Sequence, residues 1–492
     1  MVGGMGGLFD RHIAIRLKDQ AVLRLEHNGA LLFNRATGDL IELDREASWM
    51  VANIKAAEVV ATDALFRRDL FCQGRKMNRQ SIEVLLGRLI RSGMLEVLPD
   101  GILKAETDLM FQTLCRQQME WPEKDQISAP ETVHWALTYR CTADCHDCYM
   151  QRHKHLFTYE LNTRQAVAVI DKITATGVFQ LAIGGGEPLS RADLPLLVSH
   201  AASCGLAVHV TTGCHDMAPA LLKRLASHIK VMQIGVQADD MLANAAYADR
   251  LKRLAAQLDQ GGVRYGANLV MNRSGIRNLE RSVHTLASIG FLNQTLLRYK
   301  PPARIERWIA EKPGVADFEA LELKLHDLTD CAPDLQIRID CALSFLLRRW
   351  PEQSAFAQGI KGCTAADRIM ALAPDGSVYP CSQLVGTGLM AGNLSQDEFS
   401  VIWNHPVLRR YRTFRSGPDF IAGTCGSCPA KNFCGGCRVF APDALGSDPG
   451  CPEPGGLFPD RPQLTGQMPE AADACSYPAW LRNGCNPERT IP

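Results

Sequence analysis

Three cysteines, Cys141, Cys145 and Cys148, stand in a Cys-x₃-Cys-x₂-Cys run directly after an apolar, strand-like segment (133–139). Three closely spaced thiolates can hold three irons of a [4Fe–4S] cluster, whereas a cluster saturated by protein needs four. The fourth iron then keeps open positions for a small chelating ligand. A zinc knuckle without its fourth ligand, or three unrelated thiols, is the simpler interpretation of the same run.

A glycine-rich turn follows about 40 residues later. The short apolar run 181–183 indicates a buried strand, and it leads into Gly184-Gly185-Gly186-Glu187-Pro188. Glycines let a backbone approach a ligand closely, and the carboxylate of Glu187 suits an ammonium group. Taken alone, a glycine-rich turn before proline is only a turn. Its position after the cysteine run favours a ligand site.

The elements around these motifs alternate between two patterns. Strand-like runs are separated by stretches with the apolar spacing of helices, and they lie at 133–140, 178–183, 206–211, 231–236, 263–270 and 295–299. Alternating strands and helices predict a parallel sheet with right-handed crossovers. The cysteines, the glycine-rich turn and Thr211-Thr212-Gly213 all follow strand ends. Barrel enzymes place their chemistry on that face.

A second series of cysteines lies near the end of the chain. Its members are Cys363, Cys381, Cys425, Cys428, Cys434, Cys437 and Cys451, with Gly376 five residues before Cys381. Two Cys-x₂-Cys pairs are also typical of a zinc ribbon. The length of the series and the placed glycine favour a larger metal centre.

Taken together, the two regions resemble radical S-adenosylmethionine (SAM) enzymes that carry a SPASM extension. The resemblance implies an α/β fold with a partial (β/α)₆ barrel, SAM, and about three [4Fe–4S] clusters. It implies a SAM cluster on Cys141, Cys145 and Cys148 and SAM contacts from Gly185, Gly186, Glu187 and Pro188. It assigns auxiliary cluster I to Cys363, Cys381 and Cys437, and auxiliary cluster II to Cys425, Cys428, Cys434 and Cys451. Cluster I then has an open iron, a different nuclearity or a further ligand.

Other positions depart from the family pattern or match it weakly. The residue before the third cysteine is usually aromatic in the superfamily, and here it is Asp147. Thr212 follows the third strand, so it is a candidate SAM contact. Gln237, after the fourth strand, is a candidate contact for the SAM carboxylate or ribose. Arg250 is a candidate partner of that carboxylate, and a solvated helix face is the alternative.

The first hundred residues predict a separate unit. Two short runs (30–34 and 40–43) flank Ala36-Thr37-Gly38-Asp39 as a β-hairpin, and Asp44 caps the helix that follows. A second helix, centred on Leu85, stops at Gly93, and residues 94–103 predict a wing. Winged helices often bind DNA, but this second helix is apolar and has no basic face. The order resembles the peptide-recognition element of ribosomal peptide biosynthesis, similar to the small chaperone of pyrroloquinoline quinone assembly.

Composition sets the outer limits. The 492 residues contain 53 Lys+Arg and 53 Asp+Glu, so no charge excess favours nucleic acid or an anionic membrane. The first ten residues lack the pattern of a signal peptide, and no apolar run is long enough to span a membrane. Ligand-like spacing among the 18 cysteines therefore predicts a reducing cytoplasm. The remaining cysteines are expected to be buried small apolar residues; for Cys341 we expect a core position in a strand at 337–343.

We predict six regions. A winged-helix-like peptide-recognition domain (1–104) is joined by a linker (105–130) to the radical SAM barrel (131–305). A bridging region (306–358), the SPASM domain (359–455) and an irregular tail (456–492) follow. Joined, these parts resemble a maturase of a ribosomally made peptide or small protein subunit. Its partners are then that precursor peptide or subunit and an electron donor such as flavodoxin or ferredoxin. The resemblance implies reductive cleavage of SAM to a 5′-deoxyadenosyl radical, hydrogen abstraction, and a thioether or C–C cross-link.

Three other functions fit parts of the sequence. Cys434-Gly435-Gly436-Cys437-Arg438 followed by Asp448-Pro449-Gly450-Cys451 resembles the ending of haem-modifying radical SAM enzymes. Sulfatase-activating enzymes share the SPASM series. Neither branch needs a peptide-binding domain at the front. A zinc-stabilised interaction protein would explain the cysteines but would leave the Gly-Gly-Glu-Pro turn without a role.

Overall fold

The structure is a computed structural model. It describes residues 13–66, 71–72, 75–76, 78–99, 110–111, 113–115, 120–122, 127–150, 159–213, 215–300, 305–331, 334–348, 361–441, 448 and 451. The chain divides into two compact units, unit 1 within residues 1–128 and unit 2 within residues 129–486.

Unit 1 combines short antiparallel strands with helices. The elements are β1 (Ala14–Leu17), β2 (Ala21–Glu26), β3 (Gly29–Asn34), β4 (Leu40–Asp44), α1 (Arg45–Ala57), β5 (Val60–Ala61), α2 (Thr62–Leu65), β6 (Phe71–Cys72), β7 (Arg75–Lys76), α3 (Arg79–Arg91) and β8 (Leu95–Leu98). Three sheets have the orders β2-β3-β4, β5-β1-β8 and β6-β7.

The predicted hairpin is the pair β3–β4, which runs antiparallel with Phe33 opposite Leu40. The Asp44 side chain accepts a hydrogen bond from the Ala47 amide and caps α1. Ile54 of α1 and Leu86 of α3 are fully buried in the unit's apolar core. The hairpin therefore rests on a helical layer, as its alternation of apolar residues requires.

The predicted wing has a different strand partner. Its first strand, β8, pairs antiparallel with β1, from Ala14 opposite Leu98 to Leu17 opposite Leu95. β1 was missed because so short a run before the hairpin carries almost no periodicity. The turn at residues 100–101 and the second wing strand at residues 102–103 lie outside the described residues.

Unit 2 is built on one large sheet. Its strands are β9 (Thr132–Thr138), β10 (Gln180–Gly185), β11 (Ala207–Thr212), β12 (Ile229–Val236), β13 (Tyr265–Met271), β14 (Asn293–Arg298), β15 (Gln336–Ile339), β16 (Ile369–Leu372), β17 (Ser377–Tyr379) and β18 (Gly392–Asn393). The first helices are α4 (Thr163–Ala175), α5 (Leu194–Ser203), α6 (Pro219–Ala226), α7 (Ala238–Ala243), α8 (Ala245–Gln260), α9 (Arg273–Arg277), α10 (Leu279–Ser288), α11 (Ile305–Glu311) and α12 (Val315–Cys331). Four shorter helices follow β18: α13 (Phe399–Trp403), α14 (Pro406–Arg412), α15 (Pro418–Ala422) and α16 (Thr424–Ser427).

The sheet order is β15-β14-β13-β12-β11-β10-β9-β16-β17-β18. Strands β9 to β14 are parallel neighbours in chain order, which confirms the six predicted strand–helix units. Within the described sheet β9 and β15 are not paired, so the barrel is open. The carboxyl ends of the six strands lie along one edge, and the predicted motifs follow those ends.

Four strands extend the sheet beyond the predicted six. β15 adds in parallel to β14, and β16 pairs in parallel with the other edge of β9, from Ile369 opposite Thr132 to Leu372 opposite Trp135. β17 and β18 follow β16 in antiparallel order. The C-terminal cysteine region therefore begins as a continuation of the barrel sheet. In the part of the chain that is described, no helix has both the length and the apolar composition to cross a bilayer.

Candidate functional site

The glycine-rich turn is fixed against the segment that follows β9. The Gly186 amide donates to the Thr138 carbonyl at 2.7 Å, and the Glu187 amide donates to the Arg140 carbonyl at 2.8 Å. A Cβ on Gly185 or Gly186 would lie 2.4 Å from a carbonyl oxygen of that segment. These glycines are thus required by the neighbouring backbone, in addition to the predicted approach of a ligand.

The Glu187 carboxylate is held by three hydrogen bonds. Thr212 Oγ1 donates to Oε1 at 2.7 Å, the Leu189 amide donates to Oε1 at 3.0 Å, and the Gly213 amide donates to Oε2 at 3.0 Å. All three donors are neutral groups, so none of them is a cation that would compete with a positively charged ligand. Thr212, predicted as a ligand contact, orients Glu187 here. Pro188 is buried and begins a 3₁₀ turn after it.

The three cysteines of the first run lie in the loop after β9, and each is partly exposed. The Cys148 amide donates to the Cys145 carbonyl at 3.3 Å, which closes a turn between two of them. Glu160 braces the start of the loop, because it accepts from Thr138 Oγ1 and from Arg140 Nη2, the latter at 3.0 Å. The loop therefore leaves a well-supported strand end and presents its thiols partly to solvent.

Asp147, the departure from the family pattern, has a structural partner. Its carboxylate accepts from Arg307 Nε at 3.0 Å and from Asn272 Nδ2 at 2.9 Å. The Asn272 side chain also caps α9. Asp147 thus fastens the cysteine loop to elements that follow β13 and β14, a contact across 160 residues that no local sequence pattern signals.

An open cleft lies beside this contact. Its lining includes His146 and Asp147 from the cysteine loop, Gln237 after β12, Asn272 after β13, and Arg307. Gln237 therefore lines a cleft, and its contact with a cofactor stays a prediction. The cleft has the mixed polar lining of a site for a small polar ligand.

Arg250 does not line the cleft. Its guanidinium lies 5.4 Å from the centre of the Tyr247 ring, a cation–π contact. Burial raises the pKa of Tyr247 to about 12, so this phenol stays protonated at neutral pH. Its Oη accepts a hydrogen bond from the Gln237 amide at 3.0 Å. Arg250 therefore supports the strand end that carries Gln237.

The C-terminal cysteines form two groups. In the first, burial raises the pKa values of the Cys381 and Cys437 thiols, and the neighbouring Cys363 thiol adds to both. In the second, burial raises the pKa of Cys434 to about 12, with contributions from Cys451, Asp448 and Cys425. The Cys428 amide donates to the Cys425 carbonyl at 3.3 Å. Thiols that are desolvated in this way become thiolates when a metal binds them.

One compact group of ligand atoms lies outside both cysteine series. Among the described residues, three ligand atoms that all lie within 4.8 Å of one another belong to Asp171, His200 and Cys204. None of these residues is a predicted cluster ligand.

A buried ion pair supports the first group. Arg298 at the end of β14 donates to Asp448 from Nη1 at 2.6 Å and from Nη2 at 2.8 Å. Asp448 Oδ2 also accepts from the Cys437 amide at 2.9 Å. The Arg298 guanidinium lies 3.8 Å from the centre of the Phe440 ring. Asp448 was noted only within a motif, because its partner lies 150 residues away.

Cys341 corrects a prediction. The expected strand at 337–343 ends at Ile339, and Cys341 begins a 3₁₀ turn (Cys341–Leu347). The residue is exposed, not a core residue. Its thiol is nevertheless surrounded by protein atoms, and burial, Asp340, and then the thiols of Cys363, Cys437 and Cys381 raise its pKa.

The two cysteine regions adjoin at Tyr149. Burial raises the pKa of Tyr149, Lys300 opposes that shift, and Cys381 and Cys148 both add to it. Tyr149 also packs with Cys148 against the apolar cluster around Tyr139. A residue next to the first run thus interacts with a thiol of each region.

Comparisons with known proteins agree on both regions. Residues 135–258 match the model of the radical SAM superfamily, and residues 363–429 match an iron–sulfur cluster-binding domain, SPASM. An AdoMet-dependent heme synthase of Methanosarcina barkeri is 25% identical over 65% of this chain and 94% of its own. The mycofactocin maturase MftC of Mycobacterium tuberculosis is 29% identical over 66% and 83%, and the PqqA peptide cyclase of Ruegeria pomeroyi is 28% identical over 67% and 88%.

Two solved structures match this chain over different shares of its length. SuiB of Streptococcus suis, bound to its precursor peptide SuiA, has a TM-score of 0.61 and 18% identity, over 86% of this chain and 96% of its own. The protein anSMEcpe, bound to SAM and a peptide, has a TM-score of 0.52 and 14% identity, over 65% of this chain and 94% of its own. At these sequence identities, both similarities concern the fold alone.

Proposed function

The chain belongs to the radical SAM superfamily with a SPASM domain, and we propose that it modifies a ribosomally made precursor peptide that unit 1 recognises. It is an enzyme whose cofactors are SAM and [4Fe–4S] clusters. The peptide, the role of unit 1 and the ligand assignments below are the parts we propose.

One observation carries the peptide substrate. SuiB matches 86% of this chain, whereas anSMEcpe and the curated relatives match about two thirds. A match over 86% of the chain covers more residues than unit 2 contains, because unit 2 lies within residues 129–486. A fold shared with a protein that binds its precursor peptide therefore extends into unit 1.

In this proposal Cys141, Cys145 and Cys148 hold the SAM cluster, and Glu187 accepts hydrogen bonds from the SAM ammonium. Bound SAM and its cluster supply one-electron cleavage of the sulfonium to a 5′-deoxyadenosyl radical. Gly185 and Gly186 place Glu187 beside the cysteine loop, and Thr212 orients its carboxylate. Gln237 lines the adjoining cleft, to which we assign the nucleoside part of SAM.

The proposal places an auxiliary cluster on each C-terminal cysteine group. The packing of Tyr149 with Cys148 and its interaction with Cys381 support a position of the first group near the first cysteine run, which suits an electron acceptor for a net oxidation such as a thioether or C–C cross-link. Such clusters and free thiols require a reducing compartment, so we propose the cytoplasm. An external donor such as flavodoxin or ferredoxin would reduce the SAM cluster.

A tetrapyrrole substrate is the second candidate function. The haem synthase of Methanosarcina barkeri is matched over 94% of its length. That match covers only 65% of this chain, so it gives unit 1 no role. The two candidates therefore differ in whether unit 1 is needed.

The test compares the full chain with a truncated chain that lacks residues 1–128. Both are loaded anaerobically and given SAM, reductant and each short peptide encoded beside the gene. We expect both proteins to form 5′-deoxyadenosine, which also shows that unit 2 is folded, and only the full chain to change the mass of a peptide. Equal peptide modification by the truncated chain, or turnover of a tetrapyrrole by both, would contradict the proposal.

A further inference from the structure

We propose that Cys341 is the fourth thiolate of auxiliary cluster I, together with Cys363, Cys381 and Cys437. This inference rests on the SPASM part of the proposed function and not on the peptide substrate. The sequence left three possibilities for this cluster, and the structure favours a further protein ligand over an open iron.

The position of Cys341 is fixed by its neighbours. Asp340 Oδ1 accepts from the Ala342 amide at 2.7 Å and caps the 3₁₀ turn, while Asp340 Oδ2 accepts from the Arg298 amide at 3.1 Å. Lys300 Nζ lies 3.3 Å from the same Oδ2. Cys341 is therefore held at the carboxyl end of β14, the edge where the other motifs lie.

A chain of hydrogen bonds connects this turn to the second ligand loop. Arg298 Nη1 donates to the Ala342 carbonyl at 3.1 Å and to Asp448, and Asp448 accepts from the Cys437 amide. Two buried side chains thus link the residue after Cys341 to the backbone of Cys437. Such a link fixes the separation of two thiols, as a rigid cluster requires.

Cys341 departs from the burial of the turn that it begins. The six residues that follow it are buried, whereas Cys341 itself is exposed. Its thiol interacts with the thiols of Cys363, Cys437 and Cys381, one from each other segment of this group. Four thiolates around a cluster are the usual complement.

Nearby cations fit the added negative charge. Lys300 interacts with Cys381 and Cys437, and Arg298 interacts with Cys437. Both cations are largely buried, and each also pairs with a carboxylate, Arg298 with Asp448 and Lys300 with Asp340. Four thiolates leave no open iron in this cluster. A thiolate of the peptide therefore cannot bind it without displacing a cysteine.

The first experiment uses the full chain with Cys141, Cys145 and Cys148 changed to alanine, because the SAM cluster would itself lose an iron on oxidation. This protein should hold about eight irons in two clusters and keep them under mild ferricyanide oxidation. Adding Cys341→Ala should release about one iron per protein and give the electron paramagnetic resonance signal of a [3Fe–4S] cluster. Cys204→Ala, a cysteine outside both groups, is the matched control and should change nothing.

The second experiment needs no variant and so does not depend on folding of Cys341→Ala. Iodoacetamide should alkylate Cys204 in the loaded full-length protein and spare Cys341, which should react once a chelator removes the iron. Alkylation of both at equal rates, as for a free hydrogen-donating thiol, would overturn the inference. So would a Cys341→Ala protein that loses no iron. Neither readout involves a peptide, so failure of the peptide proposal would leave both results unchanged.

Discussion

The loop after β9, which carries the first cysteine run, differs from the C-terminal cysteine region in how its thiols are held. Cys141, Cys145 and Cys148 lie in one loop and are all partly exposed, whereas the C-terminal series comes from several segments and includes three buried members, Cys363, Cys434 and Cys437, beside four that are partly exposed. The C-terminal region also surrounds its thiols with buried cations such as Arg438 and Arg298. A site that exchanges SAM at each turnover needs access, and a site that keeps its clusters needs enclosure. In our proposal this difference separates a reactive centre from permanent clusters.

The largest effect on activity should come from removing the thiols of the first cysteine run. Changing Cys141, Cys145 and Cys148 together to alanine should remove about four irons and abolish 5′-deoxyadenosine formation. The C-terminal clusters should remain, because other segments hold their ligands. Iron analysis and product chromatography measure the two effects. Deoxyadenosine formed by the triple variant would show that the open loop is not the reactive centre.

A smaller effect, on stability, should come from the enclosed region. Asp448→Ala leaves Arg298 buried without its partner, so the free energy of unfolding should fall by about 3–5 kcal/mol. Denaturant titration followed by circular dichroism measures it. Glu280→Gln breaks the more exposed pair with Lys324 and is the control, with an expected change of about 0–1 kcal/mol.

The double variant Arg298→Met/Asp448→Leu sharpens this result. It removes both charges, so it should regain part of the lost stability. Equal destabilisation by Asp448→Ala and by Glu280→Gln would mean that the enclosure of the C-terminal region does not depend on the buried pair.

The smallest of the three effects should come from Glu187, the proposed hydrogen-bond acceptor for the SAM ammonium. Glu187→Gln should keep all the iron and weaken SAM binding by about 1.5–3 kcal/mol, roughly 10- to 150-fold, because the ammonium loses a charged acceptor. Equilibrium dialysis with labelled SAM measures the affinity. Asp171→Asn, a surface carboxylate change away from the cleft, should bind SAM as the unaltered protein does. Unchanged affinity in Glu187→Gln would remove Glu187 from the SAM site.

Local sequence patterns predicted most of this architecture, but they did not reveal contacts between residues that are distant in sequence. The cysteine run, the Gly-Gly-Glu-Pro turn and the six strands are signalled within a few residues each, because period and turn chemistry are local. The Arg307–Asp147 and Arg298–Asp448 pairs join residues 160 and 150 apart. The error at Cys341 has the same origin. Apolar neighbours suggested a strand through it, whereas Asp340 ends the strand and caps a turn.

The pairing of β16 with β9 has a consequence for how the chain folds. One edge of β9 must wait, unpaired, until residues 369–372 have been synthesised. Some 237 residues separate Thr132 from Ile369, and at about 5–20 residues per second this takes roughly 12 to 47 s. An unpaired apolar strand edge is a template for aggregation during that interval. Chains interrupted before residue 369 would keep the edge of β9 permanently open, so the C-terminal domain protects the barrel as well as extending its chemistry.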